Sequence, residues 1–119
     1  MTEEQVEQFL RDNEYPEHVV RAGIPGLVEV WRKFVEEVER GYALSLFDYR
    51  HDLDARGILE QAGYQSEELA ELDKRLRPLL AHRHVRVWES APDDPWWDFG
   101  YPSNAKPDFE EDLRSEGLI

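Results

Sequence analysis

The stretch GLVEVWRKFVEEVERG, residues 26–41, constrains the fold more than any other part of this sequence. Leu27, Val30, Trp31, Phe34, Val35 and Val38 recur at helical spacing, and Glu29, Arg32, Lys33, Glu36, Glu37 and Glu39 fill the opposite side. A stripe this wide and aromatic needs a core to pack against. Pro25 and Gly26 precede the pattern, and Gly41 suits the left-handed stop.

Other helical signals surround it. Thr2 and Gln5 form a T-x-x-Q capping box ahead of Val6, Phe9 and Leu10. Residues 16–22 can hold a further short turn. In YALSLFDYRHDLDARGILEQAG, Leu46, Tyr49 and Leu53 share one face and Ile58, Leu59 and Ala62 another. The five-residue step from Leu53 to Ile58 predicts two helical pieces bent at Asp54, a good capping residue, and ending at Gly63. Ser66 caps a leucine helix through Leu69, Leu72, Leu76, Leu79 and Leu80, with Pro78 kinking or ending it. The period then changes to two. HVRVWES and PWWDFGY read as strands joined by the turn composition APDDP. The acidic PDFEEDLRSEGL, with Pro107 in its first turn, predicts a last short helix.

The expected fold is therefore α+β, mainly α: four to five packed helices, a C-terminal two-stranded β-hairpin and a short acidic final helix, all in one globular domain over residues 1–119. The 119 residues carry 27 acidic and 14 basic side chains, for a net charge of −13. Such a charge excludes nucleic acid and anionic membranes as partners, because both would be repelled. There is no cysteine, which removes disulfides and thiolate chemistry. No apolar run nears the ~20 residues that cross a bilayer, and the acidic start MTEEQVEQFL lacks the pattern of a signal peptide. A cytoplasmic location is expected.

Three groupings invite chemistry. In DYRHDLDAR, residues 48–56, Asp48, His51 and Asp52 share a helical face, and a metal-dependent or acid/base hydrolase would use Asp48, His51, Asp52 and Asp54. The competing account is charge compensation: Asp52 pairs with Arg56 four residues on, Asp54 caps, and Arg50 neutralises its acidic neighbours. This account uses more of the residues, so no metal, no cofactor and no catalytic set is expected. Second, His82 and His84 could meet the Asp48–Asp54 group as a dyad, but no G-x-S-x-G elbow or Gly-rich loop accompanies them. Third, DDPWWDFGYP sets four large aromatics among Asp93, Asp94 and Asp98. Residues 90–119 hold eight acidic and two basic groups. Neighbouring Trp96 and Trp97 would point to opposite faces of a strand, one inward and one toward a partner.

The segment DYRHDLDARGILE, the charged leucine helix, VWES and PWWDFGYP together resemble a group of small acidic bacterial proteins with a D-Y-x-x-D-L-D-x-R segment and a later Trp pair. The resemblance covers roughly residues 42–115. It supplies no functional residues. In size and charge the group is similar to immunity partners of bacterial toxins, which implies a non-enzymatic protein that occludes a basic protein partner. On this reading Asp93, Asp94, Asp98, Glu110, Glu111 and Asp112 steer association and Trp96 or Trp97 anchors it. A scaffolding or oligomerisation domain is the further alternative.

Overall fold

The computed structural model describes residues 2–119. Six α-helices surround one hydrophobic core: α1 (Glu3–Asp12), α2 (Glu17–Ala22), α3 (Ile24–Glu39), α4 (Leu46–Gln61), α5 (Glu67–Leu76) and α6 (Pro107–Ser115). A two-stranded antiparallel hairpin, β1 (Leu80–Arg86) and β2 (Phe99–Pro102), lies between α5 and α6 in the chain. This is the mainly helical α+β arrangement that the hydrophobic periods imply. Among the described residues no helix is long and apolar enough to cross a membrane.

Local chemistry sets most boundaries. The Thr2 hydroxyl accepts from the Gln5 N–H at 3.1 Å, and the Gln5 side chain accepts from the Thr2 N–H at 2.8 Å, closing the capping box of α1. Ser66 caps α5 through the Leu69 N–H at 3.0 Å. Pro78 ends that helix in a single 3₁₀ turn over Arg77–Leu79. On α3, Leu27, Trp31, Phe34, Val35 and Val38 are all buried. Phe34, Tyr42, Tyr49 and Phe109 meet mainly edge-on at 5.1–5.9 Å, a favoured aromatic geometry, and join α3, α4 and α6. The Tyr42 and Tyr49 hydroxyls are buried without a hydrogen-bond partner among the described residues.

Two expectations are corrected. First, α4 runs unbroken through Asp54. The slip from Leu53 to Ile58 marks a second packed face, not a bend. Leu46, Tyr49 and Leu53 are buried, and so are Ala55, Arg56, Gly57, Ile58 and Leu59. Gly57 makes this possible: a Cβ there would lie 2.3 Å from the Ser90 carbonyl oxygen, so only glycine lets the hairpin connection approach. Second, Trp96 and Trp97 stand on no strand. They form a 3₁₀ turn after Pro95, with their rings at 84°. Asp98 imposes this turn. Its carboxylate accepts from the Ser90 N–H at 2.9 Å and hydroxyl at 2.7 Å, and the Trp97 indole donates to the same hydroxyl at 2.6 Å.

Arg56 also departs from expectation, since its partners are Asp73 on α5 and, at 3.4 Å, Glu60 four residues on, and not Asp52. Arg56 Nη2 and Nε reach the Asp73 carboxylate at 2.8 and 3.2 Å, and the Trp31 indole donates to that carboxylate at 3.0 Å. The guanidinium stands 4.3 Å from the centroid of a Trp97 ring. The side chains of Arg56 and Asp73 are only 7% and 15% exposed.

Two stability outcomes follow. Replacing Asp73 with Ala leaves a buried guanidinium with only the longer contact to exposed Glu60 and should cost about 3–5 kcal/mol, read as a lower urea midpoint. Gly57→Ala would ordinarily favour a helix by ~0.5–1 kcal/mol. Here the clash with Ser90 reverses the sign, to a loss of roughly 1–3 kcal/mol. A Gly57→Ala protein that melts higher than the parent would contradict the packing described.

Candidate functional site

The residues of the 48–56 segment divide among different tasks. Asp48 belongs to the cap of α4: its N–H donates to the Ser45 hydroxyl at 3.1 Å, and its carboxylate accepts from the Ser45 hydroxyl at 2.9 Å. Asp52 is half-buried and makes no ion pair or hydrogen bond among the described residues. Burial pushes its carboxyl up to about 7, and the nearby carboxylates of Asp48 and of Glu37 on α3 add to the rise. Asp54 accepts a 2.6 Å hydrogen bond from the Trp88 indole in place of capping. Burial raises its carboxyl too, against the opposing pull of that bond and of His51. Among the described residues, no three or more His, Asp or Glu side chains are grouped to hold a metal ion. Asp48, His51, Asp52 and Asp54 thus do not form the single centre that a metal-dependent hydrolase would need.

Arg50, His51 and Asp54 instead line a cleft of about 560 Å³. Its walls are the end of α1 (Asp12, Asn13, Glu14), the first turns of α4, Trp88 and the end of α6 (Asp112, Ser115, Glu116). The volume falls within the ~300–1,000 Å³ typical of ligand sites. His51 stacks on Tyr15 at 4.3 Å, and its Nε2 lies 3.2 Å from the Asn13 carbonyl oxygen. Arg50 is occupied internally. Its Nε donates to the Val87 carbonyl at 2.9 Å, its guanidinium lies 4.8 Å from the centroid of a Trp88 ring, and Nη1 is 3.6 Å from Glu116. Asp112 accepts from the Leu46 N–H at 3.0 Å, satisfying a free donor of the first turn of α4. Phe47 stands at the rim and is 77% exposed.

Five carboxylates (Asp12, Glu14, Asp54, Asp112 and Glu116) therefore surround one arginine and one histidine. A cleft of this charge attracts cations, and Phe47 offers an uncovered ring beside them.

The eight residues expected to meet a partner are dispersed. Asp93 and Asp94 are exposed in the turn before Trp96, and Asp94 pairs with Arg86 at 2.5 Å. Trp96 is half-buried beneath Arg77. Trp97 is 2% exposed and Asp98 fully buried, so neither faces a partner; both hold the hairpin connection together. Glu110 and Glu111 each lie 3.6 Å from Arg114. Asp112 alone of the eight lines the cleft. His82 stacks on Tyr101 at 4.7 Å. Phe47, Trp88, Glu14 and Glu116 are the residues the sequence reading overlooked. Only Phe47 carried a signal, as an aromatic one position off the Leu46–Tyr49–Leu53 stripe.

The raised carboxyls have a defined sign. Folded Asp52 holds a proton that the unfolded chain has already released, so its contribution makes stability fall as pH rises from about 4 to about 7. Asp54 and Asp98 act in the same sense. In Asp52→Asn the decline should flatten, and the variant should be more stable than the parent at pH 8. Parallel denaturation profiles for the two proteins across this range would show that Asp52 is ionised throughout.

The chain matches no protein-family model, no curated protein and no solved structure.

Proposed function

We propose that this is a non-enzymatic acidic binding protein whose partner is a basic protein, in the manner of an immunity protein that occludes a toxin. The observation that carries the reading is Phe47, 77% exposed on the rim of a carboxylate-lined cleft whose one arginine is already engaged. Large uncovered aromatics beside a pocket are the usual anchors of protein interfaces. The net charge of −13 supplies the long-range attraction. Exposed acids outside the cleft, Asp93 and Glu111 among them, contribute to that field without touching the anchor. Occlusion requires only a complementary surface, so the dispersed histidines and aspartates need no catalytic role. A bacterial, cytoplasmic setting belongs to the same proposal.

The test is kinetic. A partner captured from lysate should be basic, and its association should slow steeply between low and physiological salt. Phe47→Ala should weaken binding by roughly 30-fold or more, chiefly through faster dissociation, as expected for an anchor worth ~2 kcal/mol. A partner whose on-rate ignores salt, or an alanine variant that binds as tightly as the parent, would sink the proposal.

A further inference from the structure

A second surface has the opposite charge. No Asp or Glu occurs between Asp73 and Glu89, while Lys74, Arg75, Arg77, Arg83 and Arg86 all fall in that interval together with His82 and His84. Nine of the eleven arginines form ion pairs with carboxylates. Among the described residues Arg77 and Arg83 are the two that do not, although acids outnumber bases by 27 to 14.

Both unpaired arginines meet at one tryptophan. The Arg77 guanidinium lies over the Trp96 ring, 4.4 Å from its centroid. Arg83 Nη2 donates to the Trp96 carbonyl oxygen at 3.0 Å. The stem of Arg83 crosses β2 at Gly100, where a Cβ would come within 2.8 Å of Arg83 Cδ and 2.5 Å of the Ala81 carbonyl oxygen. Gly100 also has φ +83°, which other residues rarely adopt. The residue before Arg83, His82, takes φ +52° and stacks on Tyr101, with His84 6.4 Å from it. These residues occupy a bulge: β1 advances five residues from Ala81 to Arg86 while β2 advances two, from Tyr101 to Phe99.

We infer that this bulge is a binding site for a phosphate-monoester dianion. Two guanidinia engage Trp96 and keep unused N–H groups, one held by stacking on the ring and one by a hydrogen bond to the carbonyl oxygen and a glycine floor. Fixing them in advance lowers the entropy lost on binding. A carboxylate needs one guanidinium for its single charge, whereas two guanidinia match two charges spread over three oxygens. The net negative charge opposes a long polyanion. Against one small group its effect is limited to the ~8 Å over which exposed charges act at physiological salt. The inference is independent of the cleft and of the partner proposed for it.

The test uses isotope-labelled full-length protein and follows the Trp96 indole N–H, assigned with Trp96→Phe. N-acetyl-phosphoserine amide, inorganic phosphate and N-acetyl-glutamate amide are titrated separately at constant ionic strength. Both phosphates should shift Trp96 saturably, with the glutamate compound about tenfold weaker or worse. R77Q and R83Q should each weaken phosphate by about tenfold with an unchanged melting temperature, while R21Q, which removes an arginine elsewhere, should not. Equal affinity for the two phosphates assigns the site to free phosphate, and tighter phosphoserine assigns it to a phosphorylated side chain. No saturable shift, equal binding of glutamate, or an R21Q effect as large as that of R83Q would overturn the inference.

Discussion

The buried pair of Arg56 and Asp73 is the contact on which the rest of the structure depends. It draws four separate segments to one point: Trp31 of α3 donates to Asp73, Arg56 projects from α4, Asp73 comes from α5, and Trp97 of the hairpin connection lies against the guanidinium. Both oxygens of Asp73 are used, and the face of the guanidinium is covered by the ring. That degree of satisfaction separates a tolerable buried ion pair from a costly one. An apolar pair of similar volume would fill the space but would not fix the direction from which α5 and the hairpin approach.

What could be read in advance follows from range. The helices were legible because their apolar periods and caps are local: Thr2 with Gln5, Ser66 with Leu69, and the α3 stripe lie within a few residues of one another. The hairpin was legible as a change of period. The continuous α4 was not, because a period slip looks the same whether it marks a bend or a second buried face, and the deciding atom belongs to Ser90. The Trp pair departs from its strand-like period for a similar reason. Its period suggested pleating, but Asp98 turns the backbone back toward Ser90.

The site was hardest to read. Trp88 reaches Asp54 across 34 residues, and Arg50 reaches the Val87 carbonyl across 37. Asp52 and Arg56 had the spacing of a helical pair, but spacing states only what is available. The competition is decided by tertiary geometry, which gave Arg56 to Asp73 and left Asp52 unpaired near Asp48 and Glu37. The C-terminal quarter concentrates acidic residues, yet Asp94 pairs with Arg86, and Glu110 and Glu111 share Arg114. Charge counted along the chain overstates the charge left for a partner.

The close approach of Gly57 to Ser90 has a mechanical consequence for the cleft. No side chain lies between the α4 backbone and the hairpin connection at that seam, so the two surfaces have no compliant layer through which to slide. Asp54 sits three residues before the seam and Trp88 two residues before Ser90, and the hydrogen bond between them spans the same two elements. The floor of the cleft is thus braced at two nearby points. Whatever enters must be accommodated at the rim, by the rotamers of Phe47 and Glu116, against a floor that keeps its shape.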